Sequence, residues 1–88
     1  MIEQSVKVNL EVGLHARPAA IFVQKTNRFL SDIHLEKEGR KIDAKSIIGV
    51  MSLGVAHGEI VKLIINGEDE GEAMKELRRF LESNLGDD

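Results

Sequence analysis

Several residue types are absent or rare in this 88-residue chain, and each absence narrows its function. It contains no cysteine, which excludes a disulfide framework and thiolate chemistry. It has no tryptophan or tyrosine and only three phenylalanines, so it has few aromatic platforms for single-stranded nucleic acid and an aliphatic core is expected. Its 12 basic residues are outnumbered by 15 acidic ones, and this net charge of −3 argues against direct nucleic-acid binding.

Long apolar runs are missing as well. No segment approaches the roughly 20 apolar residues that a membrane-spanning helix needs, and the first residues, MIEQSVKV, do not resemble a secretory signal. We therefore expect a cytoplasmic protein without membrane insertion. The length fits a single domain over residues 1–88.

Hydrophobic periodicity predicts four strands. Apolar and polar residues alternate over residues 6–12 and 33–36, which is typical of half-buried strands. A short return strand over residues 40–43 follows the turn signal Glu38-Gly39, and the nearly continuous apolar run over residues 60–65 predicts a central strand. With the helices between them, the order is βαββαβα. This order indicates an α+β open-faced sandwich, in which a four-stranded, mainly antiparallel sheet carries its helices on one face.

Three helices are predicted around these strands. The first begins at Ala16, with Pro18 in its first turn, and fades near residues 31–32. The second is short and follows Ser46, and the third runs from an acidic start to a basic end, as the helix dipole favours. Residues 86–88 are expected to form a frayed tail. The predicted core-facing residues are Ala16, Ala20, Val23 and Leu30 beside Ala19 and Phe22, then Val50 and Leu53, then Ala73, Leu77 and Leu81 flanked by Met74 and Phe80.

His15 stands where the first helix begins, a position that ordinarily favours serine, threonine, aspartate or asparagine. A solvent-exposed loop histidine is one interpretation. The alternative is a phosphoryl acceptor, because the unpaired N–H groups of a helix start favour a neutral imidazole before transfer and a bound phosphoryl group afterwards. Arg17, two residues on, offers a guanidinium to the same oxygens.

Ser46 also has two interpretations. Serine is a favoured N-cap residue and precedes the apolar turn 47–53, which by itself explains its presence. A phosphate added at the same position would meet the exposed N–H groups, so a regulatory phosphorylation site is the alternative. In the following turn, Ile47, Ile48 and Met51 cannot all be buried if Val50 and Leu53 face the core, which predicts either loose packing or a docking patch.

Other chemistry finds little support in the residues. The histidines at positions 15, 34 and 57 have no metal-ligand spacing, and we expect His34 to face solvent from its strand. Phosphate-binding glycine motifs and the common hydrolase motifs are absent. The chain is therefore expected to bind no metal and no cofactor, and to act as a substrate or partner of other proteins rather than as an enzyme that turns over.

Two segments, GLHARPAA at residues 13–20 and KSIIGVMSLG at residues 45–54, resemble the HPr family of bacterial phosphocarrier proteins. The resemblance extends over almost the whole chain and implies the same βαββαβα sandwich. It implies that His15 takes a phosphoryl group from Enzyme I on Nδ1 and passes it to the IIA units of sugar permeases, and that Arg17 assists. It also implies docking through Ile47, Ile48, Met51 and Ala20.

The resemblance further implies the low-GC Gram-positive type of this family. In that type Ser46 is phosphorylated from ATP by HPr kinase/phosphorylase, and the product is a co-effector of the catabolite control repressor. The segments RPAAIFVQ, NRFLSD and LEKEGRK look similar to Crh, a catabolite-repression paralogue that has glutamine at the position of His15. A Crh-like regulator that acts mainly through phosphorylated Ser46 is therefore the alternative to a phosphocarrier.

Overall fold

The predicted order of elements is confirmed by a computed structural model, which describes residues 1–84. The predicted tail over residues 86–88 lies outside the described residues. Four strands and three helices follow one another as βαββαβα: β1 (Ile2–Lys7), α1 (Ala16–Thr26), β2 (Asp32–Lys37), β3 (Arg40–Asp43), α2 (Ile47–Ser52), β4 (Ile60–Asn66) and α3 (Glu70–Glu82).

The sheet has the order β1-β4-β2-β3, and all three strand pairs are antiparallel. Strand β4 lies inside the sheet, as its apolar run predicts, with Val61 opposite Val6 of β1 and Leu63 opposite Leu35 of β2. These four side chains are almost fully buried under the helices. Burying them removes apolar surface from water, which stabilises the sandwich by roughly 25 cal/mol for each Å².

The first strand lies earlier in the chain than the alternation over residues 6–12 predicts, since it begins at Ile2. It ends at Lys7, although Val8 and Leu10 remain fully buried, and Val12 is 58% exposed. Beyond Lys7 the chain leaves the ladder: Val8 exchanges backbone hydrogen bonds with Glu59 N-terminal to β4 and with Gly58 in the turn before it. Alternating burial thus continues past the strand, because a loop can bury every second side chain without pairing as a strand.

The buried face and the end of α1 also differ from the prediction. Ala19 and Phe22 are buried as predicted and Thr26 is buried with them, whereas Ala16 and Ala20 are exposed and Leu30 is 77% exposed. Thr26 belongs to the core because its hydroxyl donates to the backbone oxygens of Val23 and Ala44, both at 2.9 Å. A buried hydroxyl that is hydrogen-bonded costs little, so a polar residue joins the apolar stripe.

The helix ends at Thr26, not near residues 31–32. The side-chain amide of Asn27 donates to the Val23 oxygen of the last turn at 2.8 Å, and also to the Lys45 oxygen in the loop before α2 at 3.2 Å. After this cap, Ser31 is buried and pairs with Asp69 at the start of α3. The backbone is therefore held in a loop by contacts with distant residues.

The predicted core-facing residues of α2 and α3 are buried, as expected: Val50, Leu53, Ala73, Met74, Leu77, Phe80 and Leu81. Phe22 of α1 stacks on Phe80 with ring centroids 6.2 Å apart, which joins the first and third helices. The turn Glu38-Gly39 between β2 and β3 has φ values of 52° and 81°, the two positive values of a tight hairpin turn.

Candidate functional site

His15 is the N-cap residue of α1, and its side chain caps nothing. Its backbone is extended, with φ −143° and ψ 151°, and its side chain makes no hydrogen bond to the helix start. The first turn of α1 contains no acidic residue. The N–H groups at this helix end thus have neither a side-chain cap nor a neighbouring carboxylate in that turn, and they can receive an external anion.

Backbone hydrogen bonds fix the residues just before His15. Leu14, which is buried, donates its N–H to the Val55 oxygen at 3.0 Å, and Gly13 donates to the Leu10 oxygen at 2.9 Å. Gly13 has a φ of +73°, and a Cβ atom at this position would collide with the Val55 carbonyl oxygen, so glycine is required there. His15 therefore presents an exposed ring on a firmly seated segment.

Ala16 follows His15 in a left-handed conformation, with a φ of 52°. A non-glycine residue pays roughly 1–2 kcal/mol for this conformation. The strain lies between the extended His15 and the regular helix that follows. It turns the chain sharply at the helix start, and nothing in the sequence pattern of HARPAA predicts it.

Arg17 is exposed at the start of the same helix. Within residues 1–84 its guanidinium makes no hydrogen bond or salt bridge. The structure thus brings His15 and Arg17 together at one helix end, as expected from their spacing, and leaves the guanidinium available to a ligand.

Ser46 caps α2, as predicted: its hydroxyl oxygen accepts the N–H of Gly49 at 3.1 Å. The neighbouring Lys45 does not face it as a partner, because its ammonium donates to the Phe29 oxygen at 2.8 Å in the loop after α1. Ser46 is partly exposed. Its oxygen is thus engaged in a backbone cap while its side chain remains partly open to solvent.

His15 and Ser46 lie at opposite ends of α1. The carboxyl end of α1 contacts the chain just before Ser46, through Thr26 to the Ala44 oxygen and Asn27 to the Lys45 oxygen. Eleven helical residues at about 1.5 Å each separate this end from His15 by roughly 16 Å. The two candidate phosphorylation sites are therefore separate positions, one at each end of α1.

The short helix α2 has a buried side and an exposed side, as its spacing predicts. Val50 is fully buried, whereas Ile48 is 78% exposed, Met51 40% and Ile47 38%. Ala20 is exposed on α1, the helix against which α2 packs. An apolar patch of Ile47, Ile48 and Met51 therefore lies on the surface next to Ser46, as both loose packing and a docking patch predict.

The remaining histidines are placed apart from this site. His34 is half-buried on β2, so it is less open to solvent than expected, and His57 bonds through Nδ1 to the Leu10 oxygen at 3.1 Å. Residues 1–84 contain no group of three or more histidine, aspartate or glutamate side chains arranged to hold a metal ion. Among the same residues, no helix has the length and apolar character required to cross a membrane.

Sequence reasoning missed a polar cluster behind α2. Lys37, Arg40 and Glu59 converge on the end of α2 and on the loop that follows it. These residues are separated by up to 22 positions in the chain. No local pattern could reveal their pairing, because charged residues at strand ends and turns are common on any protein surface.

A βαββαβα sandwich that presents an exposed histidine at an uncapped helix start has the architecture of a small phosphocarrier protein. A family model described as "PTS HPr component phosphorylation site" matches residues 2–83. The chain belongs to the HPr family of the phosphotransferase system.

Individual relatives agree with this assignment. The chain is 53% identical to the HPr-like protein Crh of Bacillus subtilis over 97% of its own length and 100% of that protein. It is 40% identical to the phosphocarrier protein HPr of Xylella fastidiosa, over 100% of its own length and 99% of that protein. The crystal structure of HPr-C-His from Thermoanaerobacter tengcongensis superimposes with a TM-score of 0.93 at 49% identity, covering 100% of this chain and 99% of the other.

Proposed function

We propose that this protein is a phosphocarrier that accepts a phosphoryl group on Nδ1 of His15 from Enzyme I and passes it to the IIA units of sugar permeases. The observation that carries the proposal is the start of α1, where His15 is exposed, leaves the helix N–H groups uncapped and has no acidic residue in the following turn. The family assignment supports the same chemistry.

The proposed transfer uses residues at the start of α1. As the bond from Nδ1 to phosphorus forms, the bond from phosphorus to the donor breaks, and the phosphoryl oxygens come to rest against the uncapped helix end. The exposed guanidinium of Arg17 would pair with those oxygens. The imidazole is itself the nucleophile, so the step calls for no cofactor or metal, and the protein acts stoichiometrically rather than as an enzyme with its own turnover.

Labelled phosphoenolpyruvate tests this proposal directly. The wild type, incubated with Enzyme I, should acquire acid-labile label, whereas His15→Ala should acquire none. An unlabelled wild type would end the carrier proposal. The matched control is His34→Ala, because His34 lies on β2 and should leave the labelling of His15 intact.

A second function is favoured by Ser46. We infer that HPr kinase/phosphorylase phosphorylates Ser46 from ATP and that this form binds the catabolite control repressor in the cytoplasm. The supporting observations are the partly exposed hydroxyl at the start of α2, the apolar patch beside it and the 53% identity to Crh. A Crh-like role through Ser46 alone remains the alternative to the carrier, and the presence of histidine at position 15 is what favours both functions together.

The test of the second function needs a variant that keeps the helix cap. Ser46→Asn retains a capping oxygen but cannot be phosphorylated by a serine kinase. After kinase treatment, the wild type should bind the repressor and Ser46→Asn should not. Equal binding of the wild type before and after treatment would remove the regulatory function.

Docking is proposed for the apolar patch and the adjoining Ala20. Exposed apolar side chains often form protein-binding sites without a deep pocket, and methionine adapts to several partner surfaces. The patch has isoleucine at position 48, and Ile48 is its most exposed member. Ile48→Ser should weaken binding of Enzyme I or of the repressor more than it weakens folding, because a side chain this exposed contributes little to the core.

A further inference from the structure

A half-buried cation, the ammonium of Lys37, joins three parts of the molecule. The ammonium of Lys37, at the end of β2, donates to the Leu53 oxygen at 3.3 Å, the Gly54 oxygen at 2.9 Å and Glu59 Oε1 at 2.8 Å. Its side chain is only 15% exposed. An ammonium has three protons to donate, and all three have an acceptor here.

The first part is the carboxyl end of α2. This helix has no basic residue in its last turn, so its own sequence supplies no cation for its unpaired carbonyls. The hairpin of β2 and β3 provides them: Lys37 takes the oxygens of Leu53 and Gly54, and Arg40 takes the Ser52 oxygen at 2.9 Å. Three successive carbonyls are thereby satisfied from outside the helix.

The second part is the loop before β4. Glu59 Oε1, the oxygen that pairs with Lys37, also accepts the backbone N–H of Ala56 at 2.7 Å. These contacts hold the pKa of the Glu59 carboxyl below its ordinary value, through the Ala56 bond first and the Lys37 bond second. The carboxylate therefore remains charged and bridges the cation to the loop backbone.

The third part is the segment that carries His15. Val55, which lies between Gly54 and Ala56, accepts the N–H of Leu14 at 3.0 Å. The close approach of Gly13 to the same Val55 carbonyl seats the segment on the loop. Lys37 thus contacts the loop on both sides of Val55. It donates directly to the Gly54 oxygen, and it pairs with the Glu59 carboxylate that accepts the Ala56 N–H.

We propose that Lys37 is a positioning residue that sets the His15 segment against the docking helix α2, acting through the loop over residues 54–59. Without its ammonium, the Gly54 and Leu53 carbonyls and the Glu59 carboxylate lose their common partner, and Val55 is free to shift. Leu14 and His15 would then move relative to the patch of Ile47, Ile48 and Met51. The part of this proposal that concerns transfer rests on the proposed function of His15.

Amide hydrogen exchange tests the positioning without reference to transfer. In Lys37→Met, which keeps the length of the side chain but removes its charge, the Leu14 amide should exchange about tenfold faster relative to the Ala73 amide. Ala73 is the internal reference because its N–H donates to the Asp69 oxygen at 2.9 Å in α3, far from the cluster. Glu59→Gln, a milder change, should raise the same ratio in the same direction.

Two controls separate positioning from general effects. Lys41→Met removes a charge from the same hairpin at an exposed position of β3 and should leave the ratio unchanged. Lys37→Arg restores a donor and should recover much of the protection. An unchanged ratio in both Lys37→Met and Glu59→Gln, or an equal rise in Lys41→Met, overturns the proposal.

Transfer kinetics then connect the positioning with function. When Lys37→Met replaces the wild type as the phosphoryl acceptor of Enzyme I, the kcat of Enzyme I should fall about tenfold while its KM for the acceptor changes less. Docking is retained in this variant, but His15 is misplaced. A normal kcat together with accelerated Leu14 exchange overturns the functional part. If the wild type itself takes no acid-labile label, it is the proposed function that fails, and the exchange ratio still decides whether Lys37 positions the segment.

Discussion

The starts of α1 and α2 use opposite chemistry in one small domain. The Ser46 hydroxyl oxygen accepts the Gly49 N–H and so caps α2. His15 makes no such bond, and the N–H groups at the start of α1 have no side-chain cap. Ala16 adds strain at the start of α1 with its φ of 52°. One helix start is thus stabilised by a side-chain cap, and the other leaves its N–H groups available to a ligand. The left-handed residue accompanies the uncapped start.

The sharpest test of this contrast is His15→Ala. We expect complete loss of acid-labile phosphorylation, while the free energy of unfolding changes by no more than about 0.5 kcal/mol because no cap bond is lost. Urea denaturation and labelling on the same samples measure both quantities. A loss of stability above about 1 kcal/mol would show that His15 caps α1 after all.

Arg17→Ala should follow with a smaller effect on transfer. Removing a donor that faces developing phosphoryl charge costs about a hundredfold in rate in comparable sites. Loss of an exposed side chain that makes no hydrogen bond or salt bridge within residues 1–84 leaves stability within about 0.5 kcal/mol. Rapid-quench kinetics with Enzyme I check the rate. Arg17→Lys, which keeps the charge but loses the forked geometry, should recover only part of it.

Ala16→Gly tests the backbone strain at the start of α1. Glycine adopts a positive φ without penalty, so this variant should be more stable by about 1 kcal/mol. Ala20→Gly is the matched control, since it lies exposed inside α1 and should lose about 1 kcal/mol. Thermal or urea unfolding should therefore shift in opposite directions for the two variants, and a shift in the same direction would contradict strain at Ala16.

At the other helix start, Ser46→Ala should lower stability by about 1 kcal/mol and Ser46→Asn by only a few tenths, because asparagine can still cap α2. Urea denaturation of both variants in parallel measures the difference. If the two variants are equally stable, the Gly49 bond to Ser46 does not hold the helix as described.

The start of α3 offers a third case, in which Asp69 bonds to another loop. Its carboxylate accepts the Ser31 hydroxyl and the N–H groups of Leu30 and Ser31, and these bonds, the hydroxyl first and Leu30 second, hold the pKa of Asp69 below its ordinary 3.8. A lowered folded-state pKa means that the stabilisation is fully present well above pH 3.8 and is lost as the pH falls through the lowered value.

The difference in stability between wild type and Asp69→Asn should therefore be constant near neutral pH and shrink in acid. Urea denaturation at a series of pH values from 7 downward measures it. Glu68→Gln, measured in the same pH series, is the control for the loss of a neighbouring exposed carboxylate. A difference that grows in acid would reverse the sign and refute the role of the charged Asp69.

Much of the architecture followed from local patterns. The α3 stripe of Ala73, Leu77 and Leu81 and the apolar run of β4 required no tertiary information, because periodicity and apolar content identify such elements directly. The position of His15 at a helix start, with Arg17 beside it, was equally evident from the spacing around Pro18. These features depend on residues within a few positions of one another.

Other features depended on distant partners. The buried face of α1 was predicted only in part: Ala19 and Phe22 are buried as predicted, whereas Thr26 joins them because its hydroxyl bonds to the Ala44 oxygen, 18 residues away. Strand β1 was predicted over residues 6–12 but spans Ile2–Lys7, because its first residues are only partly buried and Val8 and Leu10 stay buried after the strand has ended. Periodicity registers burial, and burial does not always coincide with a strand or with an apolar side chain.

The sequence by itself determined the order of elements, the cap at Ser46 and the placement of an ionisable nucleophile at the start of α1, since each depends on neighbours along the chain. Only the tertiary structure decided that Ala16 is left-handed, that Val55 seats the His15 segment and that Lys37 joins α2 to that seat. The physical reason is that these contacts form between backbone groups and charges brought together by folding, and such groups have no signature in local composition.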